Sequence, residues 1–163
     1  MHTRHLLGAL SLIGTTGLHA QSAPLAATAV VVTPIVVSGT QALDFGNVLQ
    51  GVNKNVNFNN TNSGRFAVTG LGNAQVSFTL TLPTTLVSGA STMPITNYGV
   101  RVNDVSSSAG ASQVAVTSGV PFMRNLVSGV LYFFIGGRVT PSATQAAGSY
   151  SGSITLAAAY TGL

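Results

Sequence analysis

The stretch QVSFTLTL, residues 75–82, alternates strictly between polar and apolar side chains. Such a two-residue period is typical of a β-strand that buries one face, because successive side chains of a strand point to opposite sides. The apolar side chains of this stretch are Val76, Phe78, Leu80 and Leu82. The stretch therefore predicts a strand with one face on a core and the other in water.

The same alternation returns at the C-terminus, where Tyr150, Ile154, Leu156, Ala158 and Tyr160 share one parity. Further short runs rich in Val, Thr, Ile, Phe and Tyr are separated by Gly, Asn, Ser and Pro at intervals of about 8–12 residues, which is typical of β-sandwiches and barrels. These predicted strands are Thr28–Val37, Ala42–Val48, Asn55–Asn59, Arg65–Gly70, Ile95–Asn103, Gln113–Ser118 and Val130–Val139. Since no helical pattern of ordinary length is evident, the sequence predicts an all-β protein.

Two of these runs are apolar on both faces: residues 30–37, which Pro34 is expected to divide, and residues 130–135. A strand of a two-layer sandwich needs only one apolar face. Each run is therefore expected to be covered on both sides or to face a partner, and a loop of the same chain is an alternative cover. Gly136 and Gly137 follow the second run and predict a β-bulge.

Residues 1–20 resemble a secretory signal peptide, with Arg4 before a short apolar run that ends near Ala20. Cleavage after Ala23, Ala26 or Ala27 is an alternative. The apolar run is shorter than the roughly 20 residues of a transmembrane helix. We therefore expect an exported protein of the periplasm, cell surface or extracellular space, with residues 21–163 as a single domain and no transmembrane helix.

Charged residues form only 5% of the chain, against about 25% in a typical soluble domain, and cysteine is absent. A surface of Thr, Ser, Asn, Gln and Gly offers little charge repulsion between identical subunits, so it favours assembly. The few basic residues are scattered and are not interleaved with aromatic residues, so no nucleic-acid partner is expected.

Catalysis is not expected, because the chain has few side chains that could carry it. All the histidines lie within residues 1–20, so only Lys54 could serve as a base for a serine, and Asp44 and Asp104 are the only carboxylates. Lys54 lies among asparagines, where a solvated surface charge is the simpler interpretation. We expect no enzyme activity, no cofactor, no metal and no small-molecule substrate.

Three blocks in order carry a resemblance: residues 27–35 (ATAVVVTPI), 43–48 (LDFGNV) and 145–156 (QAAGSYSGSITL). In this order they resemble a family of bacterial secreted domains of unknown function related to the spore-coat-U and archaic chaperone-usher pilin group. The resemblance implies an immunoglobulin-like antiparallel β-sandwich, here of roughly eight or nine short strands. It also implies a surface or filament subunit whose sandwich is completed by the N-terminal segment of another subunit. The matching segment here is Thr28–Val37, which could instead form the first strand of a self-complete domain.

These observations predict a secreted structural subunit of a surface filament or extracellular matrix, assembling by β-strand addition. The expected partners are copies of itself, related surface subunits and a periplasmic chaperone. The interface candidates are Val30, Val32, Ile35, Val37, Tyr132 and Phe134. One alternative is an adhesin or carbohydrate-binding module that uses Tyr98, Tyr132 or Tyr150 as a platform. Another is a small outer-membrane β-barrel.

Overall fold

The computed structural model describes residues 21–162, which contain β-strands and no helix. The chain divides into two units, Met1–Val31 and Val32–Leu163. Within the first unit, residues 21–31 form no strand, and the predicted signal peptide lies outside the described residues. Since no helix occurs between residues 21 and 162, none is present there that could cross a membrane.

The second unit contains ten strands in two antiparallel sheets. The strands are β1 (Val36–Gln41), β2 (Lys54–Val56), β3 (Gly64–Thr69), β4 (Ala74–Thr81), β5 (Thr85–Ser88), β6 (Ser91–Asn103), β7 (Ser112–Val114), β8 (Pro121–Leu126), β9 (Val130–Val139) and β10 (Thr155–Tyr160). The large sheet has the order β1-β3-β9-β6-β5, with β2 beside β9 and β7 beside β6, and the small sheet has the order β10-β4-β8. The predicted all-β sandwich is confirmed.

The two sheets pack against each other through a core that contains the inward apolar side chains of β4 and β9. Val76, Phe78 and Leu80 of β4 are fully buried, as predicted. The ring of Phe78 lies 5.3 Å from that of Phe133 on β9, centroid to centroid, in a tilted arrangement. Full burial of an aromatic side chain of this size stabilises the fold by about 1.5–3 kcal/mol, so this contact is a main link between the sheets.

Strand β9 is buried on both faces, which explains its continuous apolar run. Its inner face contributes Leu131, Phe133 and Ile135 to the core. On the outer face Phe134 is only 1% exposed, and the guanidinium carbon of Arg65 lies 5.5 Å from the centre of its ring. The chain therefore covers the second face of this run with its own residues.

Two N-terminal predictions differ from the observed strands. Residues 42–48 were expected to form a strand but form a loop, because the Asp44 carboxylate accepts a hydrogen bond from the Gly46 amide at 2.7 Å and Gly46 has a positive φ of 56°. The run at residues 28–37 forms a strand only from Val36 onward. Strand β1 thus begins after Pro34, as expected for a residue without an N–H group.

The predicted irregularity beside Gly136 and Gly137 is present, but the extra residue lies on the partner strand. Register shifts between Thr96 and Gly99 of β6, and Asn97 has a positive φ of 51°. Gly136 itself provides space: a Cβ there would lie 2.5 Å from the Val56 carbonyl oxygen. The chain after β2 therefore crosses β9 where only glycine fits.

Candidate functional site

The second unit contains an open groove of about 1330 Å³. Its apolar lining comes from the large sheet and the loops beside it, and includes Leu43, Phe66, Leu86, Met93, Ile95, Ile135 and Val139. Its polar lining includes Gln41, Asp44, Asn47, Gln50, Ser149, Ser151 and Ser153. We call this feature the inter-sheet groove. An apolar lining with polar groups beside it is typical of a binding site.

The loop at residues 42–53 is fixed by local hydrogen bonds and one buried ring. Phe45 is buried and packs with Val56 and Val139 in a second core cluster. The Lys54 ammonium donates to the Asn47 carbonyl oxygen at 2.8 Å, which ties β2 back to the loop. Lys54 therefore has a structural contact here.

Gln145 holds the segment 145–155, which also lines the groove. This side chain is only 8% exposed, and its amide nitrogen donates to the Thr92 carbonyl oxygen at 3.1 Å and to the Tyr150 hydroxyl at 2.7 Å. Its side-chain oxygen accepts a bond from the Ser142 amide at 3.3 Å. The side-chain amide of Gln50 in turn donates to the backbone carbonyl oxygen of Gln145 at 2.6 Å. The Gln145 side chain thus ties its own segment to β6, and its backbone carbonyl joins that segment to the loop at residues 42–53 through Gln50.

The free edges of β1 and β10 lie beside each other next to the inter-sheet groove. Among residues 21–162, strand β1 pairs only with β3, and β10 pairs only with β4. The two strands are spatial neighbours in different sheets. The inward side chains of β10 are half-buried, in contrast to the fully buried ones of β4. A free edge presents unpaired backbone N–H and C=O groups, so an added strand could bond there.

The structure places the predicted interface residues on different surfaces. In the first unit Val30 is 88% exposed. In the second unit Val32 is exposed, whereas Ile35 and Val37 are half-buried against the core. The remaining candidates, Tyr132 and Phe134, lie on the outer face of the large sheet.

The hydroxyl groups of two tyrosines considered as glycan platforms bond within the chain. Tyr98 donates to the Pro83 carbonyl oxygen at 2.7 Å, and burial raises the pKa of Tyr98 to about 12. Tyr150 donates to the Ala146 carbonyl oxygen at 2.8 Å. Both side chains therefore serve the internal structure.

The inter-sheet groove itself was not predicted from the sequence. The residues that line it come from segments far apart in the chain, around positions 39–50, 83–95 and 135–155. The available signal was the block at residues 145–156, whose Gln145 and Tyr150 support the groove. A glutamine gives no such indication by itself, because its burial depends on contacts distant in sequence.

Comparison with known proteins identifies the chain at the level of a domain family. The family described as "Domain of unknown function (DUF4402)" matches residues 25–160. The match begins before β1 and ends at the last residue of β10. No curated protein matches the chain. Because the match covers most of the sequence, the chain belongs to the DUF4402 family of domains of unknown function.

Proposed function

We propose that this protein is a secreted, non-enzymatic structural subunit that assembles with copies of itself by β-strand addition. The observation that carries the proposal is the pair of free edges on β1 and β10 beside the inter-sheet groove. An extended segment placed along such an edge gains main-chain hydrogen bonds, and the groove accepts alternate side chains. The proposed product is a filament or an extracellular matrix.

The proposed donor is the segment at residues 25–32 of another copy. Residues Val36 and Val37 already belong to β1 of their own sheet, so the free part of the apolar run lies before them. Residues 25–32 form no strand, and Leu25 and Val31 are each 97% exposed. In an extended conformation Leu25, Ala27, Ala29 and Val31 would share one apolar face. This pattern supports insertion into an apolar groove.

The surface chemistry supports close packing of many copies. Only two carboxylates occur in the whole chain, and charged residues form 5% of it. Subunits with so few charges repel each other weakly, so contacts between copies need little charge compensation. Neutral polar side chains keep the remaining surface hydrated.

The test is a double variant, Val30→Asp with Val31→Asp. Neighbouring residues of an extended segment point to opposite faces, so one of these two aspartates would enter the groove in either register. We expect the wild type to form filaments or large oligomers and the variant to remain monomeric. Size-exclusion chromatography and negative-stain electron microscopy measure the difference.

A matched control is Val120→Asp with Val127→Asp. Both of these valines are exposed, at 52% and 59%, and neither lines the groove. This control adds the same charge and should assemble like the wild type. A monomeric wild type, or equal assembly by all three proteins, would contradict strand addition by the N-terminal segment.

A further inference from the structure

The outer face of the large sheet carries three of the four arginines of the described residues, Arg65, Arg101 and Arg138. Arg65 and Arg101 lie directly opposite Phe134, on the strands that flank β9. Arg138 is four residues after Phe134 on β9, so it shares the same face. We call this surface the arginine face. It is distinct from the inter-sheet groove, whose lining does not include these arginines.

Aromatic rings and backbone groups fix two of these guanidinium groups. The guanidinium carbon of Arg101 lies 4.4 Å from the centre of the Phe58 ring, and that of Arg65 lies 5.5 Å from the centre of the Phe134 ring. Arg101 also donates to the Ala111 carbonyl oxygen at 3.2 Å. Since a guanidinium group has five N–H donors, most of them stay available. The face is therefore pre-ordered for a ligand.

Within the part of the chain that the structure describes, no carboxylate compensates this charge. Among residues 21–162, none of the three arginines forms an ion pair within 4.0 Å. The Nε atom of Arg138 is buried and has no hydrogen-bond partner. Because this atom is inaccessible, a ligand at Arg138 would bond to the other N–H groups of the guanidinium, whose residue as a whole is only half-buried.

A small cavity adjoins Arg138 and adds neutral hydrogen-bonding groups. Its volume is about 260 Å³, and its lining residues include Asn55, Asn57, Asn97 and Phe58. Drug-sized ligands occupy pockets of about 300–1,000 Å³, so this cavity suits a smaller unit such as one sugar ring. Asparagine amides both donate and accept, which matches the hydroxyl groups of a sugar.

We infer that the arginine face binds an acidic glycan built from uronic acids. A guanidinium group can form a bidentate hydrogen bond with a carboxylate, and the asparagines next to Arg138 provide hydrogen bonds to hydroxyl groups. Single-stranded nucleic acid fits less well, because base stacking needs open aromatic faces. Phe134 is 1% exposed, Arg101 covers Phe58, and Tyr132 on the same face is half-buried. This binding does not depend on assembly by strand addition.

The experiment measures binding of the purified protein to oligogalacturonate by isothermal titration calorimetry. The matched ligand is the same oligomer with its carboxylates methyl-esterified, and a thymidine oligonucleotide of equal charge is the second comparison. We expect binding to the free acid that weakens as salt rises, and little binding to the ester or the oligonucleotide. Arg101→Gln and Arg138→Gln should each weaken binding by roughly tenfold.

The matched control variant is Arg124→Gln, which removes the same charge from β8 in the small sheet. It should bind like the wild type. Arg101→Lys keeps the charge without the fork and should bind with intermediate affinity, and it serves if Arg101→Gln does not fold. Absence of binding, equal binding of the ester, equal loss in Arg124→Gln, or preference for the oligonucleotide would each overturn the inference.

Discussion

At the scale of single residues, Gly136 shows how close packing restricts one position. A Cβ at this position would lie 2.5 Å from the Val56 carbonyl oxygen and 2.8 Å from the Phe58 amide nitrogen. Both contacts are with backbone atoms, which cannot move as a side chain can. The crossing also places Phe58 where it meets Arg101.

Gly136→Ala should therefore destabilise the fold by about 1–3 kcal/mol, since overpacking forces the backbone to shift. The control is Gly99→Ala, because Gly99 lies opposite Gly136 in the register and a Cβ there would meet nothing within 4 Å. Gly99→Ala should change the free energy of unfolding by no more than about 0.5 kcal/mol. Urea denaturation measures both variants. Equal effects would show that the crossing segment adjusts freely.

Tyr98 should make stability depend on pH in the alkaline range. Burial raises its pKa from 10.0 to about 12 in the folded state, so the unfolded chain loses this proton first as pH rises. The contribution of Tyr98 to the free energy of unfolding is complete below pH 10 and is lost between about pH 10 and 12. In Tyr98→Phe, the unfolding midpoint should fall less steeply over this interval. Parallel pH profiles of the two proteins would refute this assignment.

At the scale of elements, the segment at residues 142–155, which lines the inter-sheet groove, depends on the Gln145 side chain. The Gln145→Ala variant leaves the Ser142 amide and the Thr92 carbonyl without this partner, so it should cost about 1–3 kcal/mol. Hydrogen exchange at the Val87 and Ser151 amides, which bond to each other's carbonyl groups, should accelerate. Exchange at the Phe78 amide in β4 serves as the reference. Uniform acceleration would show that Gln145 supports the whole fold instead.

How well each strand could be predicted depends on how clearly its apolar and polar side chains alternate. Strand β9 was predicted with its observed bounds, and β4 was displaced by one residue, because apolar side chains define both. Strand β8 was not predicted, since it begins with Pro121 and contains Arg124. It lies at an edge of the small sheet, where proline is tolerated. Strand β5 has only four residues, too few for a pattern.

The candidate sites were less predictable than the strands, because they combine residues that only the fold brings together. The apolar runs were recognised from sequence, but the residues paired with Phe134 across the strands are Arg65 and Arg101, which precede it in the chain by 69 and 33 residues. Their charges seemed scattered along the chain. Cross-strand register places them in one row, and register depends on every turn between them.

At the scale of the whole molecule, the two proposed binding surfaces differ in their chemistry. The inter-sheet groove is mainly apolar and adjoins free backbone edges, so it suits a segment of an identical chain. The arginine face is charged and suits a different ligand. Because the two surfaces have separate linings, an assembled subunit could still present its arginines.

The position of β9 also determines when the protein can fold. This strand is the shared partner of β2, β3 and β6, yet it is the ninth of the ten strands in chain order. As a growing or translocating chain emerges, β2, β3 and β6 therefore cannot complete their pairing until β9 is available. Pairing between segments so distant in sequence is slow to form. We expect the chain to stay open during transit and to fold only after residue 139 has emerged.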